Sequence, residues 1–95
     1  MIFAAMCHDT PGLLDTRLTV RPAHLDYLNA HPDVVKAAGA LLGPDGNALG
    51  SLLILDCADQ TAADAFCAGD PFAKAGLFGS VEVKPWRQAV GAKVG

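Results

Sequence analysis

A histidine and an aspartate are the groups in this chain best suited to move a proton. His24 lies in RPAHLDYL, residues 21–28, and Asp70 in DPF, residues 70–72. A neutral imidazole is a usable base near pH 7, and a carboxylate beside it fixes its tautomer and stabilises the imidazolium that forms. Such a pair can exchange a proton with a carbon acid, and that chemistry needs no cofactor. Each residue also has a plainer reading. Pro22 fits the first position of a helix, where its missing N–H costs nothing. His24 then falls at the third helical residue, where the positive end of the helix dipole disfavours the imidazolium. Asp70 precedes Pro71 and reads first as an N-cap for the turn containing Phe72 and Ala73.

Other groups add less. Arg21 offers a fork that suits a substrate carboxylate, and serves equally well in a helix cap or a surface ion pair. Ser51 follows Gly50 and can donate a hydrogen bond, but no base stands beside it to make it a nucleophile. His8 sits between Cys7 and Asp9. Adjacent strand residues point to opposite faces, so these three cannot converge on a metal, and His8 reads as a pocket-rim residue. His24 and His31 are seven residues apart, about 10 Å along a helix, too far for one ion. The three cysteines, Cys7, Cys57 and Cys67, are odd in number and lack CxxC spacing. That argues against a disulfide framework and a zinc knuckle, and favours small buried hydrophobes over nucleophiles. GPDG at 43–46 lacks the lysine and following helix of a phosphate loop, so no cofactor motif is present.

The elements that must position these groups follow from punctuation and periodicity. Ile2–Cys7 is apolar and uncapped, which predicts a buried strand ended by Thr10-Pro11-Gly12. Residues 13–20 are ambiguous between a loop and a loose helical turn carrying Asp15 and Arg17. A short amphipathic helix runs from Pro22 through Leu25 and Leu28 to His31-Pro32. Val34–Leu42 and Leu49–Asp56 read as strands joined by a hairpin at Pro44-Asp45-Gly46-Asn47. Gln60–Ala68 is a second helix with Asp59 as N-cap and Gly69 as its stop. Val81 and Val83 alternate with Glu82 and Lys84 in a last strand ending near Trp86, and residues 88–95 read as a frayed tail. The order strand, helix, strand, strand, helix, strand predicts an α+β, ferredoxin-like βαββαβ domain: an antiparallel sheet with both helices on one face.

Length and composition bound the partners. Ninety-five residues make one domain, yet 52% of them are hydrophobic. So small a domain leaves much of its surface exposed, and the apolar surplus points to a homodimer formed through the bare sheet face. A formal charge of −3, with seven basic residues scattered singly, offers no track for nucleic acid. No segment approaches the roughly 18–20 apolar residues that span a bilayer. The opening MIFAAMCHD lacks a positive n-region, so a cytoplasmic location without membrane attachment is the expectation.

The motifs RLTVRPAHLDYL at 17–28, GP at 43–44, GS at 50–51, DPF at 70–72 and VEVKPW at 81–86 together resemble the YciI-like (YCII-related) domain family. They run in order over nearly the whole chain. The resemblance implies a fold similar to that of muconolactone isomerases, with ferredoxin-like subunits pairing into a dimeric α+β barrel. It also implies a His–Asp pair lining a cleft, here His24 and Asp70. Arg21, Gly50, Ser51, Pro71 and Phe72 fall on recurrent positions, as substrate-pocket or scaffold residues. The short connection PDGNALG, His8, and Leu42 before GP depart from the family pattern. Relatives with assigned activity include chloromuconolactone dehalogenases, which implies isomerase- or lyase-type proton abstraction on a small lactone or organic acid. Three readings remain: an enzyme working through His24 and Asp70, a non-catalytic dimeric module that binds a small acid in the same cleft, and a buried polar contact that only fixes packing.

Overall fold

A computed structural model describes the whole chain, Met1–Gly95. The elements are β1 (Ile2–Asp9), α1 (Leu14–Asn29), β2 (Val35–Leu42), β3 (Ala48–Asp56), α2 (Gln60–Ala68), the single turn α3 (Pro71–Lys74) and β4 (Phe78–Pro85). The four strands form one sheet in the order β2-β3-β1-β4, and every neighbouring pair is antiparallel. This is the ferredoxin-like α+β arrangement anticipated from element order.

The period of a strand divides the sheet into two unlike faces. Phe3, Ala5 and Cys7 of β1 are buried, as are their neighbours Leu53 and Leu55 on β3. They form the core with Leu28 of α1 and Ala63 and Cys67 of α2. Between them, Ala4 pairs with Ile54 and Met6 with Leu52, so these side chains share the opposite face, which carries no helix. Two glycines fix the framework. Gly46 has φ +83° in the β2–β3 hairpin, where Asp45 accepts hydrogen bonds from the backbone and side chain of Asn47. The Asn47 backbone bond, with the side-chain bond behind it, holds the Asp45 carboxyl below its ordinary range. Gly50 lies against the backbone of Cys7, and a Cβ there would collide with the Cys7 carbonyl.

The main departure from the sequence reading is α1. It begins at Leu14, so Pro22 lies inside the helix and His24 lies well past its first turn. His24 is therefore not the third helical residue and does not sit at the positive end of the helix dipole. An interior proline typically costs about 3 kcal/mol and removes one backbone hydrogen bond. Here the ring sits on the exposed side, and the turns before it are held by burial of Arg17 on the inner side. The buried residues of α1 are Arg17, His24 and Leu28. An inner face with two polar residues among three defeats a search for an apolar stripe. Smaller differences are that β1 continues to Asp9 and that β4 starts at Phe78. No helix is long and apolar enough to cross a membrane. Residues 86–95 form neither helix nor strand, and Gln88 gathers them through bonds with Val90, Ala92 and Val94.

Candidate functional site

The site lies on the helix-covered face, where α1, α3 and β3 meet. Asp70 is fully buried and caps α3, its Oδ1 accepting from the Phe72 N–H at 2.9 Å. Proline at the first position of α3 suits this cap, and together they aim the carboxylate at α1. His24, 6% exposed, places Nδ1 at 2.8 and 2.9 Å from the two Asp70 oxygens. A carboxylate only accepts, so Nδ1–H is the donor and the tautomer follows from the geometry. Nε2 makes no hydrogen bond within the chain. Since no buried polar side-chain atom lacks a partner, Nε2 is an accessible atom. The His24 ring stacks on Phe72 with centroids 3.9 Å apart and planes 14° from parallel.

A second ion pair stands beside the first. Arg17, 5% exposed, donates through Nη1 to both Asp9 oxygens at 3.0 and 2.9 Å and through Nη2 to Ser51 Oγ at 2.8 Å. Its Cζ lies 4.7 Å from the centroid of the same Phe72 ring. Thus α1 supplies two nitrogen-bearing side chains seven residues apart on one face, each anchored by an aspartate, Asp9 half-buried and Asp70 fully buried, and both resting on one aromatic ring. Between α1 and the edge strand β2 is a cleft of about 130 Å³, lined by residues that include Arg17, Arg21, His24, Phe72, Ala38 and Ala40.

The structure brings His24, Asp70, Phe72 and Ser51 into this neighbourhood. Ser51 is buried and acts as an acceptor for Arg17. Arg21 is exposed and borders the cleft. His8 pairs with Gly50 and Ser80 and projects from the other face of the sheet, where it is exposed and away from His24. Arg17 and Asp9 escaped the sequence reading as site residues because residues 13–20 lacked an assigned helix. The usable signal was the seven-residue interval between Arg17 and His24, two turns of a helix. No group of three or more His, Cys, Asp or Glu side chains is arranged to hold a metal ion. The thiols do not belong to the site chemistry. Burial first, with nearby Asp70 and other anionic groups adding to it, pushes Cys7 and Cys67 up to about 12.

Comparison with known proteins agrees with this fold. The YCII-related domain model matches residues 1–87. The chain belongs to this family. Protein YciI from Escherichia coli is 32% identical, with 93% of this chain and 98% of that protein aligned, and the same figures hold for Protein YciI from Shigella flexneri. Among solved structures, the family member is similar to 5-chloro-2-hydroxyhydroquinone dehydrochlorinase (TftG) from Burkholderia phenoliruptrix, determined in complex with 2,5-dihydroxybenzoquinone. The identity is 33%, the TM-score 0.86, and 94% of this chain and 96% of that one are covered. An antibiotic biosynthesis monooxygenase, 15% identical with a TM-score of 0.54 over 93% of this chain and all of its own, shares the fold alone.

Proposed function

We propose that this protein is a small-molecule enzyme in which His24, oriented by Asp70, exchanges a proton with a carbon acid such as a lactone or small ring-bearing carboxylate. One observation carries the reading: Nδ1 is committed to a fully buried carboxylate while Nε2 is left without a partner in the chain, in a residue that lines a cleft. The likeness to TftG, a dehydrochlorinase, supports the reaction class. Nε2 accepts the proton as the C–H bond breaks. In elimination, that electron pair forms a C=C bond and chloride leaves the adjacent carbon with its own bonding pair, so HCl is lost overall. In isomerisation, the pair passes to a neighbouring carbonyl oxygen and Nε2–H returns the proton to a different carbon. Asp70 stabilises the imidazolium in either case. General acid–base catalysis of this kind is typically worth about 10²–10⁴ in rate.

Two copies pairing through the helix-free sheet face complete the proposal, giving the dimeric α+β barrel implied by the family. Its support is the apolar character of Ala4, Met6, Leu52 and Ile54 on that face.

The test uses muconolactone, a chlorinated muconolactone and a chlorinated trihydroxybenzene in D₂O, following deuterium incorporation and chloride release. The expected result is turnover of at least one of them, lost by about 10²-fold or more in His24→Gln with the fold retained. Binding without turnover in the native protein would instead establish a binding module. Turnover unchanged in His24→Gln would end the acid–base assignment.

A further inference from the structure

We propose that Phe72 is a positioning residue of the acid–base pair: its ring face fixes the plane of the His24 imidazole and stabilises the imidazolium formed when Nε2 takes a proton. This deepens the acid–base reading and rests on it. Three observations support it. The first is the geometry of the stack. The His24 and Phe72 centroids are 3.9 Å apart and their planes 14° from parallel. Neutral aromatic pairs prefer offset or edge-on contacts at about 4.5–7 Å. The other aromatic contacts of the chain obey that preference, with centroids 4.9–5.9 Å apart and planes inclined by 31–84°. His31 supplies an internal control, since it packs on Tyr27 and Phe66 at 5.0 and 5.3 Å, tilted by 54° and 84°. A close parallel stack suits an imidazole that becomes a cation, because the negative face of the phenyl ring attracts it.

The second is the joining of two different constraints on one imidazole. Asp70 holds Nδ1 at 2.8 and 2.9 Å. That hydrogen bond fixes the direction of Nδ1–H but leaves the ring free to tilt about the same line. Phe72 stops the tilt by lying against the face of the ring. With both contacts in place Nε2 keeps one direction. Asp70 and Phe72 are two residues apart, and the Phe72 N–H donates to Asp70 Oδ1 at 2.9 Å, so a single turn of chain sets both constraints. Phe72 is itself held: it is fully buried and meets the Phe78 ring at 81°, with centroids 5.9 Å apart.

The third is the short supply of other groups able to answer a charge on His24. Asp70 faces it from the cap of α3, Arg17 and Arg21 share its helix, and β2 presents only Ala38, Gly39 and Ala40 to the cleft. Arg17 is already paired with Asp9, and its Cζ lies 4.7 Å from the same Phe72 centroid. Asp70 is therefore the one carboxylate bonded to His24, and Phe72 the one aromatic face packed on it.

Fluorination withdraws π density from a phenyl ring with little change in its outline, so it separates the charge of the ring from its packing. Mono-, tri- and pentafluorophenylalanine in place of Phe72 are compared by NMR titration of the full chain, reading His24 and His31 in the same spectra. The His24 midpoint should fall with each step, by about half a unit or more for the pentafluoro ring, while His31 stays fixed. With whichever lactone or trihydroxybenzene the protein turns over, kcat should fall in the same order and KM should change less than about twofold. Phe72→Leu, which keeps an apolar side chain but no ring face, should lower kcat about tenfold or more. If Phe72→Leu does not fold, the fluorinated series, which preserves the packing, decides alone. A His24 midpoint that ignores fluorine, or one that moves together with His31, would overturn the assignment. A stepwise fall in a protein that turns over none of the probes would uphold the hold of Phe72 on the imidazole and remove the enzyme reading. Turnover lost in His24→Gln but indifferent to fluorine would do the reverse.

Discussion

The two faces of the sheet draw on the same strands but are built from opposite chemistry. Under the helices, Asp9, Ser51 and Asp70 meet Arg17 and His24 beside a fully buried Phe72, and every buried polar side-chain atom is satisfied. On the other face, Ala4, Met6, Leu52 and Ile54 form an apolar strip flanked on β4 by Glu82 and Lys84. Alternation along β1 makes this possible, since stepping one residue changes which face a side chain serves. The difference teaches where each face is vulnerable. The helix-covered face depends on particular partners, whereas the helix-free face, with the C-terminal segment against Ile2 at one end, depends only on remaining apolar.

The largest effect should come from breaking a partner on the first face. Asp9→Ala leaves the Arg17 guanidinium buried without its counter-charge, and urea unfolding should show a loss of about 3–5 kcal/mol. A value under about 1 kcal/mol would mean the pair is solvated and the contrast between faces is overstated. Gly50→Ala sharpens the contrast from the backbone side, because its Cβ meets the Cys7 carbonyl. A loss of about 1–3 kcal/mol is expected, readable in the same experiment.

The thiols of Cys7 and Cys67 give a pH test. Their pKa values in the folded protein are raised to about 12 from 9.0, chiefly by burial, so the folded state keeps protons that the unfolded state releases. Their contribution is complete below pH 9 and declines as pH rises toward 12, so stability falls across that window. Cys7→Ala or Cys67→Ala should flatten the slope in urea titrations at stepped pH, and an unchanged slope would count against burial as its source. The smallest effect on the folded subunit is expected for Leu52→Gln on the bare face, within about 0.5 kcal/mol. Light scattering should nevertheless report a weaker dimer if two copies pair there, and an unchanged mass would remove that face as the interface.

Much of the fold was legible because local signals agreed with one another. Thr10-Pro11-Gly12, the Pro44–Asn47 turn and the Asp59 cap all fall at element boundaries seen in the structure. His24 and Asp70 were legible from residue type and motif, although nothing in their separation of 46 residues shows that they touch. Arg17 was not legible. Its helix is interrupted by a proline and buries a polar face, so both propensity and periodicity point away from it. What holds those turns is a set of tertiary contacts to Asp9, Ser51 and Phe72, drawn from three other parts of the chain.

Asp70 caps α3 and orients His24 at the same time, and this has a consequence for how the protein matures. A four-residue turn has no standing of its own in water and exists only when docked. It is followed directly by β4, whose partner β1 lies at the opposite end of the chain. The imidazole therefore has its carboxylate only when α3 is docked against α1. Partly folded chains carry the histidine without its orientation, and a molecule that needs the assembled cleft recognises only the finished protein. Such a molecule would act as a folding-dependent stabiliser, raising the midpoint of the whole domain with the logarithm of its concentration once that exceeds its Kd.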